Sequence, residues 1–69
     1  MSQKKITIQD VAYRIKELYE ALELTQAQFA LKVGVTVTQV NRWCNSKAVP
    51  SPMAQVAILN LESEVFEDE

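Results

Sequence analysis

Between Leu24 and Leu61 the chain carries three bases, Lys32, Arg42 and Lys47, and no acid. That stretch can hold phosphate or another anion, and it has few other groups to react with. There is no histidine, and Cys44 is the only cysteine, so neither an internal disulfide nor a Cys/His metal site can be assembled. Gly34 is the single glycine, which excludes a glycine-rich loop around a nucleotide's phosphates. Glu17, Glu20 and Glu23 recur at the spacing of a solvated helix face rather than as paired acids in a cleft. These absences argue against an enzyme and call for no cofactor.

The formal charge of −2 at pH 7 hides an uneven distribution. Glu62, Glu64, Glu67, Asp68 and Glu69 put five acids and no base into residues 62–69. Without them seven bases stand against four acids, a net +3. A modest positive surface beside an acidic end permits contact with nucleic acid. Chance spacing in so short a chain would look the same.

Such groups act only if a fold positions them. Sixty-nine residues, 48% hydrophobic and 23% charged, make one globular domain near the lower size limit for independent folding. One glycine and two prolines leave few breakers, which favours helices joined by short turns. No apolar run approaches the ~20 residues of a membrane span, and no apolar segment follows the basic start Met1-Ser-Gln-Lys-Lys5 as in a signal peptide. With the lone cysteine, this reads as a soluble cytoplasmic protein.

Residues 1–6 read as a flexible arm. Thr7 and Asp10 have capping-box spacing, and Ile8, Val11, Ala12, Ile15, Leu18, Tyr19 and Leu22 form one apolar stripe of a first helix. Thr25 with Gln28 opens a second helix whose inward residues are expected to be Ala27, Phe29, Ala30 and Val33. Gly34 suits the left-handed turn that ends it. Thr36 with Gln39 caps a third helix, which carries Val40 and Trp43 inward, with Cys44 as a small, partly buried hydrophobe; Asn45 and Ser46 stop it. Ser51 caps a fourth, with Pro52 at its first position and Met53, Val56, Ala57, Leu59 and Leu61 as apolar residues; Ile58 broadens that stripe. The domain is therefore set at residues 7–61, with 62–69 an acidic tail or dimer element. Two short helices joined by a tight turn at Gly34 are marginal alone and must pack across each other.

The run Leu24-Thr-Gln-Ala-Gln-Phe-Ala-Leu-Lys-Val-Gly-Val-Thr-Val-Thr-Gln-Val-Asn-Arg-Trp43 resembles the phage-repressor (XRE/Cro-type) helix-turn-helix family, more loosely as far as Asn45, Lys47, Pro50 and Ser51. The resemblance covers about residues 7–61, with the motif at 25–45. It implies an all-α, compact four-helix, lambda-repressor-like DNA-binding domain, with room for at most a short fifth helix. Ser46 stands where the family commonly has glycine, which implies a strained or differently shaped turn.

Carried over by position, the resemblance puts Val37, Thr38, Asn41 and Arg42 on the groove-facing side of the recognition helix. Arg42 would grip guanine O6 and N7, Asn41 would read adenine, Val37 would touch a thymine methyl, and Thr38 would serve a base or a phosphate. Gln26 would bond a phosphate or brace a reading residue. Thr36, Asn45 and Lys47 would hold phosphates, and Gln39 would join them unless capping uses its side chain. Each has a plainer reading. Arg42 can lay its stem on apolar surface, Asn41 can be merely solvated, and Val37 can pack locally.

The function implied is a sequence-specific transcriptional regulator, a repressor encoded by a bacterium or phage, acting on double-stranded DNA as a homodimer. Helix four and the pair Val65 and Phe66 would join the copies, unless Phe66 covers its own core. The alternative is a protein-binding adaptor or antitoxin-type partner that reuses the fold with weak DNA affinity.

Overall fold

The computed structural model describes residues 7–66. The segment read as an arm, residues 1–6, lies outside the described residues, as do residues 67–69 and the side chain of Phe66. Four helices follow one another: α1 (Ile8–Ala21), α2 (Gln26–Val33), α3 (Val37–Cys44) and α4 (Pro52–Phe66). The described residues hold no strand.

Each of the first three helices starts where a threonine meets a polar residue three places on. Thr7 Oγ1 accepts from the Asp10 N–H at 3.1 Å, while the Thr7 N–H donates back to Asp10 Oδ2 at 3.0 Å. Thr25 with Gln28 and Thr36 with Gln39 repeat the exchange at 3.1 and 2.9 Å in both boxes. Two of the N–H groups that a helix start leaves unpaired are thereby satisfied each time. At α4, Ser51 Oγ accepts from the Ala54 N–H at 3.3 Å, and Pro52 occupies the first position, where no N–H is needed.

Three helix ends turn through a residue with positive φ. Gly34, at +89°, closes α2 with its own N–H and that of Val35 both on the Ala30 carbonyl, at 2.8 and 2.9 Å. A Cβ there would meet no atom within 4 Å, so backbone conformation, not space, is what favours glycine. Glu23 closes α1 at +61° and Ser46 closes α3 at +58°. In both, the next residue's N–H reaches back across the last turn: Leu24 to Tyr19 at 2.9 Å and Lys47 to Arg42 at 2.8 Å. The turn at Ser46 thus keeps the geometry glycine would give it, in a conformation that costs an L-residue energy.

Among the described residues, Phe29, Leu18 and Val40, from three different helices, are the largest fully buried side chains, with Ile15, Trp43, Cys44, Ala54, Ile58 and Leu61 around them. No polar or charged residue is buried among those described. Three expectations fail in detail. Ala27 is exposed because it lies about 200° round the helix from Phe29 and cannot share its face. Ile8, in the first turn of α1, is exposed. On α4 the inward stripe is Ala54, Ile58, Leu61 and Val65, whereas Met53, Val56 and Leu59 are 85%, 59% and 57% exposed. That helix is apolar nearly all round, so its periodicity does not choose a face; the surface offered by α1 and α2 does.

α4 continues past Leu61 to Phe66. Val65 packs on the core of its own chain, and Glu62 takes Arg14 of α1 through Nη2 at 2.7 and 2.8 Å. Arg14 is more than half exposed, so the pair contributes little, ~0.2–1 kcal/mol at most.

Candidate nucleic-acid interface

The side chains of α3 divide cleanly. Val40, Trp43 and Cys44 point into the core. Val37, Thr38, Asn41 and Arg42 are exposed, with Asn45 continuing the same stripe one turn further. Their i, i+1, i+4, i+5, i+8 spacing places them on one side of the helix. The stripe carries one cation, two amides, a hydroxyl and a branched apolar side chain, a set able to match base edges and a thymine methyl. The Arg42 guanidinium and the Lys47 ammonium have no hydrogen-bond or ion-pair partner among the described residues, and both are exposed. A cation already paired would lose that partner on meeting an anion; these two would not.

Other expected site residues are already engaged. Gln39 Oε1 accepts from the Thr36 N–H at 2.9 Å and from Thr36 Oγ1 at 3.3 Å, so capping does use that side chain. Gln26 is half-buried and held at both ends. Its Nε2 donates to Tyr19 Oη at 3.2 Å, and its Oε1 accepts from Asn41 Nδ2 at 3.5 Å. Gln26 thus touches Asn41, one of the residues expected on the groove-facing side. Asn45 Nδ2 donates to the Asn41 carbonyl at 2.9 Å and to Asn41 Oδ1 at 3.1 Å.

Tyr19 and Cys44 belong to the same cluster. The thiol donates to Tyr19 Oη at 3.8 Å, and the tyrosine ring lies on Phe29, centroids 5.7 Å apart and tilted by 50°. The sequence pattern places Tyr19 only on the apolar stripe of α1. The available signal was its hydroxyl, which a tyrosine among apolar residues must satisfy. Burial raises the pKa of both groups. For Cys44, the Tyr19 hydroxyl and Lys16 oppose that rise without cancelling it, so the thiol keeps its proton at neutral pH.

Among the described residues no cluster of His, Cys, Asp or Glu could hold a metal ion, and no helix is long and apolar enough to cross a membrane. The helix-turn-helix family model matches residues 15–61, from the middle of α1 to Leu61 in α4. No curated protein and no solved structure gives a match. With most of the chain matched, this all-helical domain belongs to the XRE/Cro/lambda-repressor-type helix-turn-helix family, whose members are DNA-binding regulators.

Proposed function

We propose that this chain is a sequence-specific transcriptional repressor that inserts α3 into the major groove and blocks promoter DNA. The observation that carries the reading is the exposed stripe of Val37, Thr38, Asn41 and Arg42 backed by buried Val40 and Trp43. Arg42 takes a guanine edge, Asn41 an adenine, Val37 a thymine methyl and Thr38 a base or phosphate. Lys47 meets a flanking phosphate, and the Thr36 hydroxyl turns from Gln39 to another, contacts that fix register without reading sequence, while Asn45 gives both its side-chain N–H groups to Asn41. Gln26 braces Asn41, and Gln39 serves mainly the cap. Two copies bind two half-sites in the cytoplasm, paired through the exposed Met53, Val56 and Leu59 of α4.

The test selects duplexes from a random DNA library and follows anisotropy of the winners at two salt concentrations. A palindromic site whose affinity falls steeply with salt is expected. Arg42→Ala is expected to weaken the selected site by ~1–3 kcal/mol and relax one base position. Lys47→Ala is expected to weaken all duplexes about equally. If both variants bind like the parent, the recognition face lies elsewhere.

A second reading, a protein-binding adaptor, is favoured by one observation. Met53 and Val56 join Val33, Gly34 and Val35 around an apolar depression of about 440 Å³ beside the turn, a surface suited to a partner's side chains. No enriched duplex in the selection would support that reading instead.

A further inference from the structure

The cluster at the α1, α2 and α3 junction is a continuous relay from the core to the exposed stripe: Cys44, Tyr19, Gln26, Asn41, Asn45. We propose that Tyr19 is a positioning residue for base readout, its hydroxyl holding Gln26 so that Gln26 confines the Asn41 amide to one place. This rests on the DNA-reading assignment of Asn41 made above.

An amide donates at one end and accepts at the other, so turning it over exchanges the base edge it matches. Here one group settles which way each amide faces. The Asn41 backbone carbonyl can only accept, so Asn45 must offer Nδ2 to it, and the same nitrogen then meets Asn41 Oδ1. That leaves Asn41 Nδ2 toward Gln26 Oε1, and Gln26 Nε2 toward Tyr19 Oη. Turning Asn41 over would set oxygen against oxygen at Gln26 and nitrogen against nitrogen at Asn45. The orientation kept leaves Asn41 one N–H and one lone pair, which is what adenine N7 and N6 require.

Direction is thus set from the Asn45 end, and place from the Tyr19 end. Tyr19 is the fixed point: its ring lies against fully buried Phe29, and the buried Cys44 thiol reaches its hydroxyl. Without Oη, Gln26 Nε2 has no partner among the described residues and turns to water. Gln26 then no longer confines Asn41.

Tyr19→Phe removes that oxygen and keeps the ring on Phe29. Affinities of the parent, Tyr19→Phe, Asn41→Ala and the double variant are measured on the selected duplex and on all its single-base substitutions. Tyr19→Phe is expected to keep the parent's helical signal while losing roughly two- to tenfold of discrimination, the worth of one net hydrogen bond. The loss should fall only at the base pair that Asn41→Ala relaxes, and Tyr19→Phe should add nothing in the Asn41→Ala background. An unchanged base profile, a uniform loss across all duplexes, or full additivity with Asn41→Ala would overturn the proposal. If Tyr19→Phe does not fold, Gln26→Met breaks the same relay at a half-buried position and is judged by the same three results. A parent that enriches no duplex overturns the DNA reading, whereas a parent with a clear site and an indifferent Tyr19→Phe overturns this inference alone.

Discussion

Cys44 and Tyr19 make the residue scale measurable through pH. Removal of the thiol from water raises its pKa above the ordinary 9.0, against smaller opposing effects of the Tyr19 hydroxyl and Lys16. A folded-state pKa above the unfolded value means that the native chain holds its proton more tightly. That contribution to stability is whole below pH 9.0 and is lost as pH rises through the folded value. Tyr19, likewise raised mainly by burial, begins to act the same way only from its ordinary 10.0 upward. The melting temperature should therefore start to fall just above pH 9.0, and in Cys44→Ala the fall should start nearer 10. Melting curves across that range decide it, since a common onset in the two proteins would clear the thiol. Iodoacetamide offers a further check at the same position: the buried thiol of the native protein should label slowly, and that of the urea-unfolded chain quickly.

At the scale of the element, the helix ends differ more from ideal than the helix starts. Glu23 and Ser46 adopt the left-handed conformation that Gly34 holds without penalty. Ser46→Gly should stabilise the fold by ~0.5–1 kcal/mol, the relief of backbone strain less the extra freedom glycine brings to the unfolded chain. Denaturant midpoints with an unchanged slope would show it; a lower midpoint would mean that the serine side chain contributes something its contacts do not reveal. The same asymmetry explains what sequence could disclose. A helix start is written locally, so Thr7, Thr25, Thr36 and Ser51 announce all four. The family motif likewise discloses the exposed stripe of α3. The inward face of α4 is not local, because Met53, Val56 and Leu59 are as apolar as Ala54, Ile58 and Leu61 and only neighbouring helices choose between them. The left-handed Glu23 has no glycine to betray it. The relay through Tyr19 joins residues as many as 25 positions apart, at a separation no periodicity reports.

For the whole molecule, a domain of this size has little stability to spare, ~3–5 kcal/mol from a single hydrophobic core. Phe29 is fully buried where α1, α2 and α3 meet, and truncating it to alanine costs ~3–5 kcal/mol. Phe29→Ala should therefore be largely unfolded at 25 °C by circular dichroism, whereas Leu31→Ala, at an 81% exposed position of the same helix, should shift stability by less than ~0.5 kcal/mol. A cooperative melt for Phe29→Ala near the parent's would mean that the core tolerates a large void. On α3 the residues that hold the fold and those that face outward are different residues. Val37, Thr38 and Arg42 can be exchanged without touching the core, while Asn41 is tied to it through Gln26 and Tyr19. On the proposed DNA reading, retargeting should thus be asymmetric: three positions form a cassette open to rewriting, and the fourth changes well only when its supports change with it.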